Sequence, residues 1–262
     1  MTRLLSLLAF GLALTAAPAL AAPTGGLAVE GTAFVVTTPA ARLASLDLVG
    51  AVFEIDDGKG GLAQVRIDAV TPAKENASIL LHTLSARDPK TGAWTNMCEP
   101  DAQGRRAGFP LRGHWDGYRF VADPNTWFLA CTSGSQGKCV LWGYDPWGKA
   151  PDGRPLADFY RTCQQTVRAD YRGDGAPHTK NGTEIDVADI AGVQRHDSLS
   201  DPAYMFEAGW GPTGAICVAA TRWPDLLTQA ALIKASPNLG GPCDAAAARA
   251  KGALIFTRIK RR

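Results

Sequence analysis

The spacing of apolar positions divides the chain into a strand-like half and a mixed half. From Gly31 to about Phe120 the apolar residues fall in short β-branched or aromatic runs: Thr32 to Thr38, Gly50 to Ile55, Gln64 to Val70, Ser78 to Ser85 and Ala93 to Met97. Such runs predict strands. Asp57-Gly58-Lys59-Gly60-Gly61 and Asp88-Pro89-Lys90-Thr91-Gly92 carry the turn residues that join neighbouring runs. An antiparallel sheet is therefore expected here.

Farther on, the period lengthens. Leu156, Phe159, Tyr160, Cys163 and Val167 lie at offsets of 3, 4, 7 and 11, a single apolar helical face that carries Cys163 inward. A second helix is expected from a cap at Thr132 or Ser133 toward Trp142, with Gly143 as its stop, although Gly134 and Gly137 weaken it. Lys180-Asn181-Gly182-Thr183 predicts a tight turn and Thr183 to Ile190 a strand. Phe206 to Trp210 and Ala215 to Ala220 predict a hairpin across Gly211-Pro212-Thr213-Gly214. Pro224 opens a last predicted helix through Leu226, Leu227, Ala230 and Ile233 that ends by Pro237. The terminal Arg258, Lys260, Arg261 and Arg262 read as a solvated tail.

No repeat or long linker interrupts this order, so the expected architecture is one α+β domain, rich in antiparallel sheet with a few helices, over residues 22–262. Its N-terminal part, about 30–109, is the β-rich one. Residues 1–21 are set apart by a different pattern: Arg3, an apolar run from Leu4 to Leu14, and the small residues Ala19-Leu20-Ala21 form a secretory signal. Cleavage after Ala21 is favoured over the next bond, which would leave Pro23 at the new N-terminus. The apolar run is shorter than the ~20 residues that span a bilayer, and no later segment is long and apolar enough to do so. A secreted or periplasmic location follows as the expectation.

Composition changes this picture in two respects. Lysine and arginine number 27 against 25 acidic residues, a balance that gives no electrostatic ground for nucleic-acid binding. All six cysteines, Cys98, Cys131, Cys139, Cys163, Cys217 and Cys243, lie beyond the leader, and an even number in an oxidising compartment predicts three disulfides. Spacing alone leaves the pairing open, but Cys131 and Cys139 on one helix would stand about 12 Å apart, beyond disulfide reach. No CxxC pair exists, and His82, His114, His178 and His196 are scattered, so no metal site is expected.

The most distinctive segment is Arg168-Ala169-Asp170-Tyr171-Arg172-Gly173-Asp174-Gly175, followed by His178-Thr179 and Asn181-Gly182-Thr183-Glu184-Ile185-Asp186. It resembles the signature of the ADYC domain family, bacterial secreted proteins named for an Ala-Asp-Tyr-Cys motif and without an assigned activity. Phe128-Leu129-Ala130-Cys131, Gly137-Lys138-Cys139-Val140, Trp142-Gly143-Tyr144 with Pro146-Trp147, and Phe206 to Val218 are similar to the family's cysteine-containing blocks, so the likeness runs from about Pro110 to Pro237. Arg172 stands where the motif has its cysteine. If that cysteine is disulfide-bonded in the family, its partner here is expected to be missing too or left as a free thiol, and the even count suits joint loss.

Asp170, Tyr171, Asp174 and His178 fall within nine residues of one glycine-rich loop, which makes them the candidate binding residues. The same residues also fit a structural loop, with Asp170 turning the chain, Gly173 and Gly175 at positive φ, and Tyr171 burying its ring while bonding the backbone. A rival reading makes Cys131 a helix-terminal thiolate activated by His178 and oriented by Asp186, as in papain-like or transglutaminase-like hydrolases of peptide or cell-wall amides. Cysteine parity counts against it. No GxSxG or phosphate-binding glycine motif occurs, and the aspartate spacing is not that of an EF-hand loop, so no cofactor is expected. Trp94, Trp115, Trp127, Trp142, Trp147, Trp210 and Trp223 admit a third class, a stacking platform, which exposed tryptophan pairs would reveal. The expected function is a binding or envelope-associated module for a cell-envelope peptide or glycan, with enzyme activity left open.

Overall fold

The computed structural model describes residues 26–56 and 60–262. The signal expected over 1–21 and part of the turn expected at Asp57 to Gly61 lie outside the described residues.

The described residues open with β1 (Leu27–Glu30), β2 (Ala33–Thr37) and β3 (Arg42–Ala44), an antiparallel three-stranded sheet in that order. A short 3-10 turn, Ser45–Leu48, follows, and Phe34 N donates to Ser45 Oγ at 2.8 Å. Next come β4 (Val52–Asp56), β5 (Leu62–Pro72), β6 (Leu80–Arg87), β7 (Trp94–Asn96) and β8 (Gly108–Arg112). The hairpin of β9 (His114–Asp116) and β10 (Arg119–Val121) then precedes β11 (Trp127–Cys131). These build an antiparallel sheet of order β11-β8-β6-β5-β4, with β7 also on β6. The turn into β7 is set by Asp88, whose Oδ1 accepts from Lys90 N at 2.7 Å and Thr91 N at 2.9 Å.

Helix α1 (Ser135–Leu141) starts from Gly134, later than the expected Thr132 or Ser133, and stops before Gly143 at φ +95°. A Cβ at Gly137 would lie 2.4 Å from the Cys131 carbonyl oxygen, so the glycine that weakens this helix in isolation is what seats it on the end of β11. Helix α2 (Ala157–Arg168) buries Phe159, Tyr160 and Cys163 as the spacing predicts.

Beyond it lie β12 (Ile185–Asp189), β13 (Tyr204–Gly211), β14 (Gly214–Val218), α3 (Gln229–Ala235), α4 (Ala245–Ala250) and β15 (Ile255–Lys260). The helix expected from Pro224 begins only at Gln229. Thr228 Oγ1 caps it by accepting from Ala231 N at 3.1 Å, while Leu226 and Leu227 turn back onto the Trp223 carbonyl. The expected solvated tail is corrected more sharply. Arg258 and Lys260 belong to β15, which lies between β12 and β13 in a sheet of order β12-β15-β13-β14. Ile255, Phe256 and Ile259 of that strand are buried, and this burial outweighs the cost of ordering its charged neighbours.

One hydrophobic core joins the parts: Phe109 and Leu111 of the larger sheet meet Val140, Phe159 and Tyr160 of the helices and Trp210, Val218 and Ile255 of the smaller sheet. A satellite cluster around Phe34, Val65, Ile67 and Leu84 packs the N-terminal sheet against the larger one. The fold is α+β, rich in antiparallel sheet. Three disulfides staple it: Cys98–Cys131, Cys139–Cys163 and Cys217–Cys243, with Cα separations of 5.5, 5.9 and 5.6 Å. Cys131, at the end of β11, and Cys139, in α1, do not share a helix, and each finds a separate partner. Each bridge contributes roughly 2–4 kcal/mol. No helix among the described residues is long and apolar enough to cross a membrane.

Candidate functional site

The signature loop starts where Ala169 turns α2 into the left-handed region, at φ 50°. Asp170, only 1% exposed, closes the loop, its carboxylate accepting from Asp174 N at 3.1 Å and Gly175 N at 2.7 Å. Burial pushes the Asp170 pKa up despite those two bonds. Tyr171 points the other way, into the core, with its ring stacked on Trp210 at 5.2 Å. Its hydroxyl donates to Glu207 Oε1 at 2.8 Å and accepts from Arg222 N at 2.7 Å, and burial drives its pKa well above the ordinary value.

The Arg222 guanidinium completes this buried network. It forms two bonds to the Glu207 carboxylate, Nε at 3.0 Å and Nη2 at 2.9 Å, and donates to the Thr166 and Val167 carbonyls at the end of α2. A cation there also suits the negative end of the helix dipole. Gly173 is required by close approach, since a Cβ would lie 2.0 Å from the Thr213 carbonyl oxygen. Arg172 is exposed and pairs with Asp174 at 2.7 Å. None of the described cysteines is unpaired, so no orphan sulfur awaits a cysteine at position 172.

The hydrolase triad is not assembled. Cys131 Sγ is bonded to Cys98 Sγ and is no thiolate. His178 directs Nδ1 at the Ala169 carbonyl, 3.2 Å away, and its backbone N–H bonds the Arg168 carbonyl, which folds the loop back on the helix. Asp186 accepts from Asp197 N, from Ser198 N and Oγ, and its histidine neighbour is His196, with Nδ1 at 3.2 Å. Burial works to raise the Asp186 carboxyl, but the Ser198 bonds hold it below the usual carboxylate range. Among the tryptophans Trp147 is the exposed one and the rest are buried or half-buried, so no exposed pair forms a platform.

What lies beside the loop is a cleft of about 210 Å³. The β9–β10 hairpin contributes Trp115 and Tyr118 to its lining, and α2 contributes Gln164, Gln165 and Arg168. Ser135, Gln136, Asp170 and Gly175 also line it. Arg161 Nε donates to the Phe120 carbonyl at 2.9 Å and ties the hairpin to α2, and Gln164 Nε2 donates to the Ser135 carbonyl at 3.3 Å. Tyr118 is 60% exposed, and its ring rests on Gly175, where a Cβ would lie 2.1 Å from Cδ1.

Two residues of this lining each bury a polar atom that has no partner: Trp115 Nε1, a donor, and Oε1 of Gln165, a residue only 4% exposed. A buried polar atom left unmatched costs about 1–3 kcal/mol, so both are a local cost to the fold beside the cleft.

Of the four candidate binding residues, Asp170 alone lines the cleft; Tyr171 lies in the core, Asp174 at the surface, and His178 staples the loop. Sequence reasoning names Trp115 only among the seven tryptophans of a possible stacking platform, and does not single out Tyr118, Gln136, Gln164, Gln165 or Arg168 as a site. One signal was present: Gln164 and Gln165 follow Cys163 directly, so two amides share a helix turn with its inward face.

The ADYC domain matches residues 45–224, more than half of the chain, and the protein belongs to the ADYC domain family. The match begins within the N-terminal β-rich part, ahead of the stretch from Pro110 that carried the resemblance. No curated protein and no solved structure matches the chain.

Proposed function

We propose that this protein is an exported, envelope-associated binding module of the bacterial cell exterior or periplasm. The cleft between Trp115 and Gln165 is its site for an uncharged polar segment of a cell-envelope peptide or glycan. The observation that carries the reading is a cleft of about 210 Å³ beside the signature loop, lined by Trp115, Tyr118 and the amides Gln136, Gln164 and Gln165. Arg168 and Asp170 bring opposite charges to the same lining, which favours a neutral ligand over an ion. Export is supported by the charged, apolar and small-residue order of residues 1–21 together with the three disulfides. The mature unit in this reading is residues 22–262. Binding is favoured over amide hydrolysis because the only proposed nucleophile, Cys131, is held in a disulfide.

The test is a titration of the oxidised mature protein with soluble muropeptides, followed at the indole N–H resonances and assigned with Trp115→Phe. A saturable shift of the Trp115 signal is expected. No shift at any indole would overturn the assignment of this cleft.

A further inference from the structure

We infer that Ser45 and His82 form an acid-sensitive latch: protonation of the imidazole releases the N-terminal sheet of β1, β2 and β3 from the larger sheet while the rest of the fold stays closed. This goes beyond the binding reading and does not depend on it.

The attachment is narrow. Residues 27–44 lie ahead of the stretch that matches the family. They pack through Val29, Phe34 and Val36 on Val65, Ile67 and Leu84, a cluster separate from the main core, and no strand of theirs is laddered to the larger sheet. Among the described residues two hydrogen-bonded links tie the sheets together. Leu80 N donates to Thr32 Oγ1 at 2.8 Å, and Phe34 N donates to Ser45 Oγ, which lies 2.8 Å from His82 Nε2 on β6. The imidazole is fully buried, its plane at 81° to the Phe34 ring with 5.2 Å between centroids. An element held by so few bonds opens locally, below the cost of unfolding the whole chain.

The polar hydrogens show why acid opens it. Ser45 Oγ already accepts the Phe34 N–H, so its own proton is free to donate to Nε2 of a neutral imidazole. One polar hydrogen is then unmatched, on Nδ1. A protonated ring carries N–H on both nitrogens, so Nε2 must donate to Ser45 and the serine proton loses its acceptor. A positive charge enters the apolar interior at the same time. Opening hydrates all three.

No carboxylate stands by to compensate. Phe34 and Ser45 meet the ring, Gly108 and Val70 flank it on the neighbouring strands, and none of these titrates. On the surrounding elements Glu30 pairs with Arg42, Asp47 caps Ala44 N, and Arg66 pairs with Asp68. Glu54 and Asp56 on β4, Arg87 on β6 and Arg112 on β8 are exposed. Burial lowers the His82 pKa from 6.5 to about 4, and the opposing effect of the Gly108 and Leu80 backbone is outweighed. Between those values the released sheet binds a proton that the docked sheet refuses, so opening grows as the pH falls.

Amide hydrogen exchange of the oxidised mature protein, expressed as protection relative to free-peptide rates at each pH, tests the latch. From pH 7 to pH 4 protection over residues 27–44 should fall roughly a hundredfold, with α2 and β13 still protected. His82→Gln should abolish that dependence. In the unsubstituted protein, where no variant has to fold, the His82 Cε1–H resonance should shift with the same midpoint as the loss of protection. Full protection of residues 27–44 down to pH 4 overturns the proposal, as does a fall that survives His82→Gln or a His82 midpoint apart from it. Equal loss over α2 and β13 also overturns it, by making acid act on the fold as a whole.

Discussion

Tyr171 and Glu207 stand 36 residues apart and are joined by a 2.8 Å hydrogen bond inside the core, from phenol to carboxylate. The same phenol oxygen receives the Arg222 backbone N–H, and the Arg222 side chain neutralises the carboxylate. The signature tyrosine is therefore the plug that fixes the loop to β13 and to the segment after β14. Every charged atom of the network has a partner, which is the condition for burying an ion pair at tolerable cost.

Removing the phenol oxygen should be costly out of proportion to its size. Tyr171→Phe leaves the Arg222 N–H without an acceptor and should destabilise the fold by about 1–3 kcal/mol. Glu207→Ala, which strands the buried guanidinium, should cost about 3–5 kcal/mol. Urea denaturation of the oxidised protein measures both. A Tyr171→Phe effect within about 0.5 kcal/mol of wild type, the range of an indifferent surface change, would contradict the anchoring role.

Gly175 couples loop and cleft. It sits at φ +83° directly under the Tyr118 ring. Gly175→Ala should cost about 1–2 kcal/mol through its backbone conformation alone and displace Tyr118 from the cleft mouth. Denaturation together with chemical shifts of the Tyr118 ring reports both effects. An unmoved tyrosine would show that the contact yields elsewhere.

Acid should weaken the fold through His82. Burial lowers its pKa from 6.5 to about 4, and its Nε2 lies 2.8 Å from Ser45 Oγ. Between those two values the unfolded chain binds a proton that the folded chain refuses, so stability rises with pH. The contribution is complete above pH 6.5 and falls by up to ~3 kcal/mol as the pH drops to about 4. His82→Gln should flatten this limb of a stability–pH profile. An unchanged slope would assign acid sensitivity to other groups.

Intact mass and peptide mapping test export and cross-linking together. Protein from the native envelope should lack residues 1–21, resist alkylation until reduced, and yield Cys98–Cys131, Cys139–Cys163 and Cys217–Cys243 peptides. Retention of the leader would refute export with cleavage. A reactive Cys131 would reopen the hydrolase reading.

The sequence was most legible where structure is local. Leu156, Phe159, Tyr160, Cys163 and Val167 display α2 within three turns, and Asp88 with Gly92 displays the hairpin turn between β6 and β7. β15 was hidden because its partners, β12 and β13, lie far upstream, and its alternating Arg258 and Lys260 look like solvated charge until both neighbours are in place. The cleft was hidden for the same reason. Trp115 and Gln165 are 50 positions apart in sequence and become a pair only when the β9–β10 hairpin docks on α2. The sequence admits Tyr171 as either a site residue or a buried anchor, and the burial that makes it an anchor depends on Glu207 and Arg222, 36 and 51 positions downstream.

The position of β15 has a practical consequence for anyone trimming the protein. The stretch that matches the ADYC domain ends at residue 224, whereas the strand that separates β12 from β13 is Ile255–Lys260, and the partner of Cys217 is Cys243. A fragment cut at the family boundary would leave two raw sheet edges facing an empty slot and a lone thiol beside them, a combination that invites strand exchange and cross-linking between molecules.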